Sequence, residues 1–62
     1  MTAMPCINLT VINRNDGKVF QMIKEDVYIF SNVEGKKINI SRHGKRYSID
    51  IDYYQFFIPL AP

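Results

Sequence analysis

Residues 36–52, KKINISRHGKRYSIDID, carry the pattern from which the rest of the fold follows. Apolar and polar residues alternate on both sides of the dipeptide His43-Gly44. A two-residue loop ending in Gly suits the tight turns whose twist matches paired strands, and His adopts a positive φ more readily than most residues. We therefore predict an antiparallel β-hairpin that turns at His43-Gly44.

The register of this hairpin is strongly specified, because a slip of one residue would move every isoleucine from the core to solvent. The predicted cross-strand pairs on the apolar face are Ile40–Tyr47 and Ile38–Ile49. On the polar face they are Lys37–Asp50, Asn39–Ser48 and Ser41–Arg46.

The hairpin is also basic. Although the net charge of the chain is only +2, five of its eight Lys and Arg residues fall within residues 36–46, and no Asp or Glu lies between Lys36 and Ile49. His43 adds a titratable group at the turn. The hairpin is thus the one concentrated positive region of the sequence.

Two further turns precede the hairpin, at Asp16-Gly17 and Glu34-Gly35, so that each glycine of the chain marks a turn. The first turn has a two-residue loop at Asp16-Gly17 or a three-residue loop that adds Asn15. The strands between the turns cover residues 6–12, 19–23 and 27–33. Residues 1–5 are a frayed lead-in. The chain of 62 residues is predicted to be one all-β domain, a five-stranded antiparallel meander forming a curled sheet or a small SH3-like or OB-like barrel.

Pairing through Glu34-Gly35 predicts which face is buried, because it places Ile29 opposite Ile40 and Ser31 opposite Ile38. The apolar side chains on that face form the predicted core: Val27, Ile29, Ile38, Ile40, Tyr47, Ile49 and Ile51. The opposite face carries Tyr28 and Phe30 beside small polar and cationic side chains.

This outer face suggests a nucleic-acid platform. Tyr28 and Phe30 would stack on unpaired bases while the basic hairpin holds phosphates, the combination that small β-barrels use for single strands. The alternative is that the two aromatic rings form a second small core, and that the charges are a solvated rim protecting a sheet edge. The predicted phosphate contacts are Lys36, Lys37, Arg42, His43, Lys45 and Arg46.

Residues 53–62, YYQFFIPLAP, form a tail that is apolar except for Gln55. Asp52 is suited to cap a single helical turn over residues 53–56, and Pro59 rules out an internal strand position. The tail either folds back as a lid or packs against a second copy, giving a dimer. The side chains predicted to make partner or self-association contacts are Tyr53, Tyr54, Phe56, Phe57, Ile58 and Leu60.

A second functional hypothesis follows from the tail. A small inhibitor or adaptor, of the type that mobile genetic elements encode, would dock on another protein through the tail or through an unpaired strand edge. A third hypothesis is a structural subunit that self-assembles through the tail.

Residues for catalysis are sparse. His43 and Cys6 are the only residues of their types, which is too few for a zinc site and weak evidence for a nucleophile. Asp50 and Asp52 more simply balance the charge of the neighbouring lysines. We therefore predict a binding module that is not an enzyme and needs no metal or cofactor. A single cysteine and the lack of a signal-peptide pattern predict a cytoplasmic protein without membrane association.

Residues 26–51 resemble the first half of the LytTR type of DNA-binding domain, in which an acidic residue begins an apolar Tyr-Ile-like strand that short hairpins follow. The corresponding residues here are Asp26, Val27 and Ile29, with Tyr28 one place early. The resemblance covers under half of the chain and assigns a role to no residue.

Overall fold

The computed structural model describes residues 1–60, which form seven strands and one 3₁₀ helix. The strands are β1 (Thr2–Pro5), β2 (Leu9–Ile12), β3 (Val19–Met22), β4 (Tyr28–Glu34), β5 (Lys37–Arg42), β6 (Lys45–Asp50) and β7 (Phe57–Pro59). The 3₁₀ helix, Ile51–Phe56, connects β6 to β7. Ala61 and Pro62 of the predicted tail lie outside the described residues.

The strands form two antiparallel sheets. One has the order β6-β5-β4-β1-β7, and the other is the hairpin β2-β3. The prediction of an all-β domain with a five-stranded antiparallel sheet is confirmed. The chain order within that sheet differs from a meander, because β1 lies between β4 and β7. The sheet is open rather than a closed barrel, since its outer strands β6 and β7 do not pair with each other.

The hairpin of β5 and β6 has the predicted turn and the predicted register at every pair. His43 and Gly44 both adopt the left-handed conformation, with φ of 51° and 77°. Positive φ at both loop residues is the geometry that matches the right-handed twist of the strands.

The hairpin of β2 and β3 has neither predicted loop. Ile12 pairs with Val19, and the Asn13 amide donates to the Lys18 carbonyl, so the loop contains residues 14–17. The carbonyl of Asn13 accepts from the amide of Gly17, which has a φ of 75°. The Asn13 side chain accepts from the Asn15 amide at 3.1 Å and stabilises this longer turn.

Strand β4 contains an irregularity that the sequence pattern did not predict. Phe30 pairs with Ile40 and Asn32 pairs with Asn39, so Ser31 is an extra residue that forms a β-bulge. Because one extra residue reverses the alternation of side chains, β4 changes faces at Ser31. The turn itself lies one residue later than predicted, at Gly35-Lys36.

The bulge reverses the predicted faces of β4. Tyr28 and Phe30, predicted to lie on the outer face, are buried with only 3% and 8% of their surface exposed. Ile29, predicted to be core, is 53% exposed, and Val27 is exposed as well. Ile51, also a predicted core residue, lies at the surface in the 3₁₀ helix. The buried apolar cluster consists of Ala3, Leu9, Val11, Met22, Tyr28, Phe30, Ile38, Ile40, Ile49 and Phe57.

Strand β1 corrects the prediction of a frayed lead-in. Its Ala3 is fully buried, and the strand pairs with β4 on one side and β7 on the other. The amide of Phe30 donates to the carbonyl of Met1 at 2.7 Å, and the amide of Leu60 donates to the carbonyl of Thr2 at 2.9 Å. The first residues are therefore an internal strand of the larger sheet.

The tail folds onto its own chain, which was one of the two predicted alternatives. The 3₁₀ helix begins two residues earlier than expected, with Asp50 rather than Asp52 as its cap. The carboxylate of Asp50 accepts from the amide of Asp52 at 2.9 Å. After the helix, β7 adds to the edge of β1, where Pro59 is tolerated because an edge strand need not donate outward.

Phe57 is the tail residue that closes the core. It is 6% exposed, and its ring lies edge-on to Phe30 and Tyr28, with centroid distances of 5.1 and 6.2 Å. On the other side of the core, Phe20 of β3 stacks on Tyr47 of β6 at 4.2 Å. The β2-β3 hairpin, through Phe20, and the tail, through Phe57, thus cover different parts of the inner face of the larger sheet.

We expect Phe57→Ala to destabilise the fold by about 3–5 kcal/mol, because it removes the ring that both β4 aromatics contact. Since small domains have a total unfolding free energy of only about 5–15 kcal/mol, the variant should lose most of its stability in urea denaturation followed by circular dichroism. The matched control is Ile58→Ala on the exposed side of the same strand, with an expected loss under about 1 kcal/mol. Equal losses would contradict the role of Phe57.

Candidate functional site

The predicted cationic residues occupy two ends of the β5-β6 hairpin. Lys36 and Lys37 lie at the end that joins β4, whereas His43 and Lys45 lie at the turn. Lys37 and Arg42 are five positions apart along the extended strand β5, a distance of roughly 17 Å. The six side chains therefore do not form one continuous patch.

Arg42 has partners within the chain. Its guanidinium contacts the carboxylate of Asp26 at 3.2 Å and lies over the ring of Tyr28, 5.8 Å from the centroid. Lys37 lies directly opposite Asp50, as the hairpin register predicts. Arg42 is thus paired with a carboxylate, whereas Lys37 forms no ion pair within residues 1–60, although Glu34 and Asp50 lie opposite it on the neighbouring strands. Lys36, His43, Lys45 and Arg46 are exposed, and within residues 1–60 none of them forms an ion pair.

Tyr28 and Phe30 do not form the predicted stacking platform, because both rings are in the core. Burial raises the pKa of the Tyr28 hydroxyl above its ordinary value of 10.0, and the nearby positive charge of Arg42 opposes this shift in part. Stacking on a base would require the core to open.

The outer face of β5 is polar and internally hydrogen bonded. The amide nitrogen of the Asn39 side chain donates to the Glu34 carboxylate at 2.6 Å and to the side-chain oxygen of Asn32 at 3.1 Å. The hydrogen bonds from Asn39 and Asn32 lower the pKa of Glu34. This exposed network links three polar side chains of the outer face to one another.

The predicted association residues of the tail have different environments. Phe57 is buried, and Tyr53 and Phe56 are half-buried against the core. Tyr54 and Ile58 are exposed, and Leu60 is half-buried. Tyr54 and Ile58 therefore present the largest exposed apolar surface in this part of the tail.

The structure contains an apolar cleft, which lies between Met1, β4, β5 and the 3₁₀ helix and has a volume of about 380 Å³. Its floor consists of the buried side chains Phe30 and Ile38. Four exposed apolar side chains form its rim: Met1, Val33, Ile51 and Tyr54. The two polar residues at the cleft are Ser31 and Asn32, at the bulge.

The bulge accounts for the cleft. Beyond Ser31, Val33 pairs with Ile38 on the inner face of the sheet, yet it is 56% exposed. No residue of the β2-β3 hairpin lines the cleft, so this end of the inner face is uncovered. Sequence reasoning missed the site because only a bulge places Val33, Phe30 and Ile38 on the same side.

The residues with catalytic potential have structural roles or are isolated. Asp50 caps the 3₁₀ helix and contacts Arg14 at 3.8 Å. Cys6 is an exposed free thiol. Within residues 1–60, no group of three His, Cys, Asp or Glu side chains is arranged to hold a metal ion.

Comparison with protein-family models, with curated proteins and with solved structures finds no significant match. Among the described residues, no helix has the length and apolar character required to cross a membrane.

The raised pKa of Tyr28 predicts a pH dependence of stability. The fold favours the protonated hydroxyl, so this contribution is fully present below pH 10 and is lost as the pH rises through the higher pKa of the folded state. The unfolding free energy of the native protein should therefore fall more steeply above pH 10 than that of Tyr28→Phe, as measured by urea denaturation. Identical slopes for the native protein and Tyr28→Phe would contradict the preference of the fold for the protonated Tyr28 hydroxyl.

Proposed function

We propose that the protein is a small non-catalytic binding module that recognises another protein by accepting one of its apolar side chains in the apolar cleft. The observation that carries this proposal is the convergence of four exposed apolar side chains around a floor of core residues. Exposed apolar surface of this kind is costly in water and typically marks an interaction site.

The size and composition of the cleft support a side chain as its occupant. A volume of about 380 Å³ lies at the lower end of the range for ligand pockets. Protein interfaces concentrate their affinity where a bulky anchor fills a desolvated pocket. An aromatic or long aliphatic anchor would contact Phe30 and Ile38 below and Val33 at the rim.

Tyr54 is suited to the edge of such an interface. Its ring lies edge-on to the Phe30 ring, with a centroid distance of 5.8 Å, and this contact holds the ring at the rim of the cleft. A tyrosine can add apolar contact through the ring and a hydrogen bond through the hydroxyl, and it loses little entropy on binding. This role retains the tail as a contact site, as the sequence suggested, through one residue instead of the whole segment.

Selection from a random displayed-peptide library would test this proposal with defined ligands. Peptides selected by the native protein should share a central aromatic or large aliphatic residue. The Val33→Glu variant should bind the selected peptides at least about tenfold more weakly, because it places a carboxylate at the rim of the cleft, where the anchor makes apolar contacts. Affinity would be measured by fluorescence anisotropy.

The matched control is Ile29→Glu, the same charge change at an equally exposed residue on the opposite face of the same strand. It should leave the affinity within about twofold of native. If the control weakened the peptides as much as Val33→Glu does, or if the selected peptides lacked an apolar anchor, the cleft would not be the binding site.

A second candidate function, nucleic-acid binding, is favoured by the turn of the β5-β6 hairpin. His43, Lys45 and Arg46 are exposed there, and none of them contacts a carboxylate within the described part of the chain. With the aromatic platform buried, this mode would rest on phosphate contacts alone. Such contacts give weak binding that depends strongly on salt.

A labelled single-stranded 20-mer provides the test of this second function. For three phosphate contacts, the slope of log affinity against log salt should be about −2. Lys45→Glu and Arg46→Glu should each weaken binding, whereas Lys18→Glu, the same change on the other hairpin, should have little effect. No binding at low ionic strength, or equal effects of all three substitutions, would exclude this function.

A further inference from the structure

We propose that the outer edge of β3 accepts an extended peptide with acidic residues at both ends, which pairs as a third strand of the β2-β3 sheet. This site is separate from the apolar cleft, and the proposal does not depend on the function assigned to the cleft.

The hydrogen-bond pattern of the hairpin shows which backbone groups are available. The Asn13 amide donates to the Lys18 carbonyl. Bonded pairs alternate along an antiparallel ladder, so the β3 residues that bond to β2 are Phe20 and Met22. Val19 and Gln21 occupy the intervening positions, and their amides and carbonyls point away from β2. Within residues 1–60, no other group of the chain bonds to these two donors and two acceptors.

The two outer edges of the larger sheet, on β7 and β6, are less available to an added strand. On β7, the carbonyl of Phe56 and the amide of Leu60 bond to the β1 side, so Phe57 and Pro59 face outward. The Phe57 amide already donates to the Tyr54 carbonyl, and Pro59 has no amide hydrogen. Neither residue offers a free donor, and proteins commonly protect sheet edges in this way.

The edge of β6 is occupied at its centre. The amide of Ser48 donates to the Asn13 side chain at 3.0 Å, and its carbonyl accepts from the Arg14 amide at 2.6 Å. These two bonds join β6 to the end of β2, so a new strand cannot pair along β6 without displacing them. The edge of β3 has no comparable cover.

The side chains on β3 also favour a strand partner. Val19 is 62% exposed, the largest exposed fraction among the exposed large hydrophobic residues of the described chain, and Ile23 is exposed as well. Across the hairpin, Val19 pairs with the exposed Ile12. A β-branched side chain on an added strand would pack beside Val19 and extend this apolar pair into a row.

The charges near β3 select the kind of strand. Lys18 directly precedes the strand, and Lys24 lies two residues after its end. If two copies paired antiparallel about Gln21, Lys18 of each copy would face Lys24 of the other, and like charges in this position are destabilising. An acidic residue at each end of a partner peptide would face these lysines instead. Of the acidic neighbours, Asp16 bonds to the Lys18 amide and Asp26 to Arg42, while Glu25 follows Lys24 directly and is exposed.

Binding of a synthetic peptide with the sequence Glu-Val-Thr-Val-Thr-Val-Glu, blocked at both termini, tests the proposal, because its seven residues place a glutamate opposite each of Lys18 and Lys24 and a valine opposite Val19. Titration into the isotope-labelled protein should shift the amides of Val19 and Gln21 and slow their hydrogen exchange. The same peptide with lysine in place of both glutamates should bind at least about fivefold more weakly. Equal affinity for the two peptides, or amide shifts centred elsewhere, would overturn the proposal.

Backbone substitutions separate the β3 edge from the rest of the hairpin. Gln21→Pro removes the outward-facing backbone amide of Gln21 without breaking the β2-β3 ladder, and it should weaken binding of the peptide at least about tenfold. Its cross-strand partner supplies the control, because Thr10→Pro alters the opposite edge of the same hairpin and should preserve binding. Equal loss in both variants would contradict the proposal.

Two further measurements keep the test decisive if Gln21→Pro does not fold. Methylation of the alternate peptide nitrogens that face β3 should abolish binding to the native protein, because strand pairing needs those donors. Val33→Glu at the apolar cleft should leave the affinity unchanged, so failure here is distinguishable from failure of the proposed cleft function. Undiminished binding of the methylated peptide would rule out strand addition.

Discussion

The β-bulge at Ser31 is the constraint on which the arrangement of the protein depends. One additional residue in β4 reverses the alternation of its side chains, so Tyr28 and Phe30 join Ile40 in the core while Ile29 faces solvent. Because of Ser31, Tyr28 and Phe30 lie on the inner face before the bulge, whereas Val33 lies on that face after it. Without it, a continuous ladder would bury Ile29 and leave Tyr28 and Phe30 exposed.

The reversed strand also accounts for the positions of β1 and β7 in the larger sheet. The two aromatic rings of β4 need cover, which Phe57 provides from β7. Strand β1 lies between β4 and β7 and supplies the hydrogen bonds that hold β7 in place. A small domain buries a limited share of its surface, so this cover is a substantial part of its stability. The inner face that neither β7 nor the β2-β3 hairpin covers is the apolar cleft.

The parts of the fold that could be predicted from sequence are those with local causes. His43-Gly44 and the strict alternation around it determine the β5-β6 hairpin, and the structure has each predicted pair. The position of β1 and the bulge depend on contacts between distant segments, which alternation within one strand does not encode. Ser31 has no signature of a bulge, and the face of Tyr28 was therefore predicted wrongly. The cleft, which depends on that bulge, could not be predicted either.

The most direct test of this account is a nuclear Overhauser spectrum of the protein in solution, with assignment of the methyl groups and aromatic rings. The bulge predicts contacts from the Phe30 ring to the methyl groups of Ile40 and to the Phe57 ring, and none between the methyl groups of Ile29 and those of Ile40. Contacts between the methyl groups of Ile29 and Ile40, with the Phe30 ring free of both partners, would show a regular ladder and contradict the account.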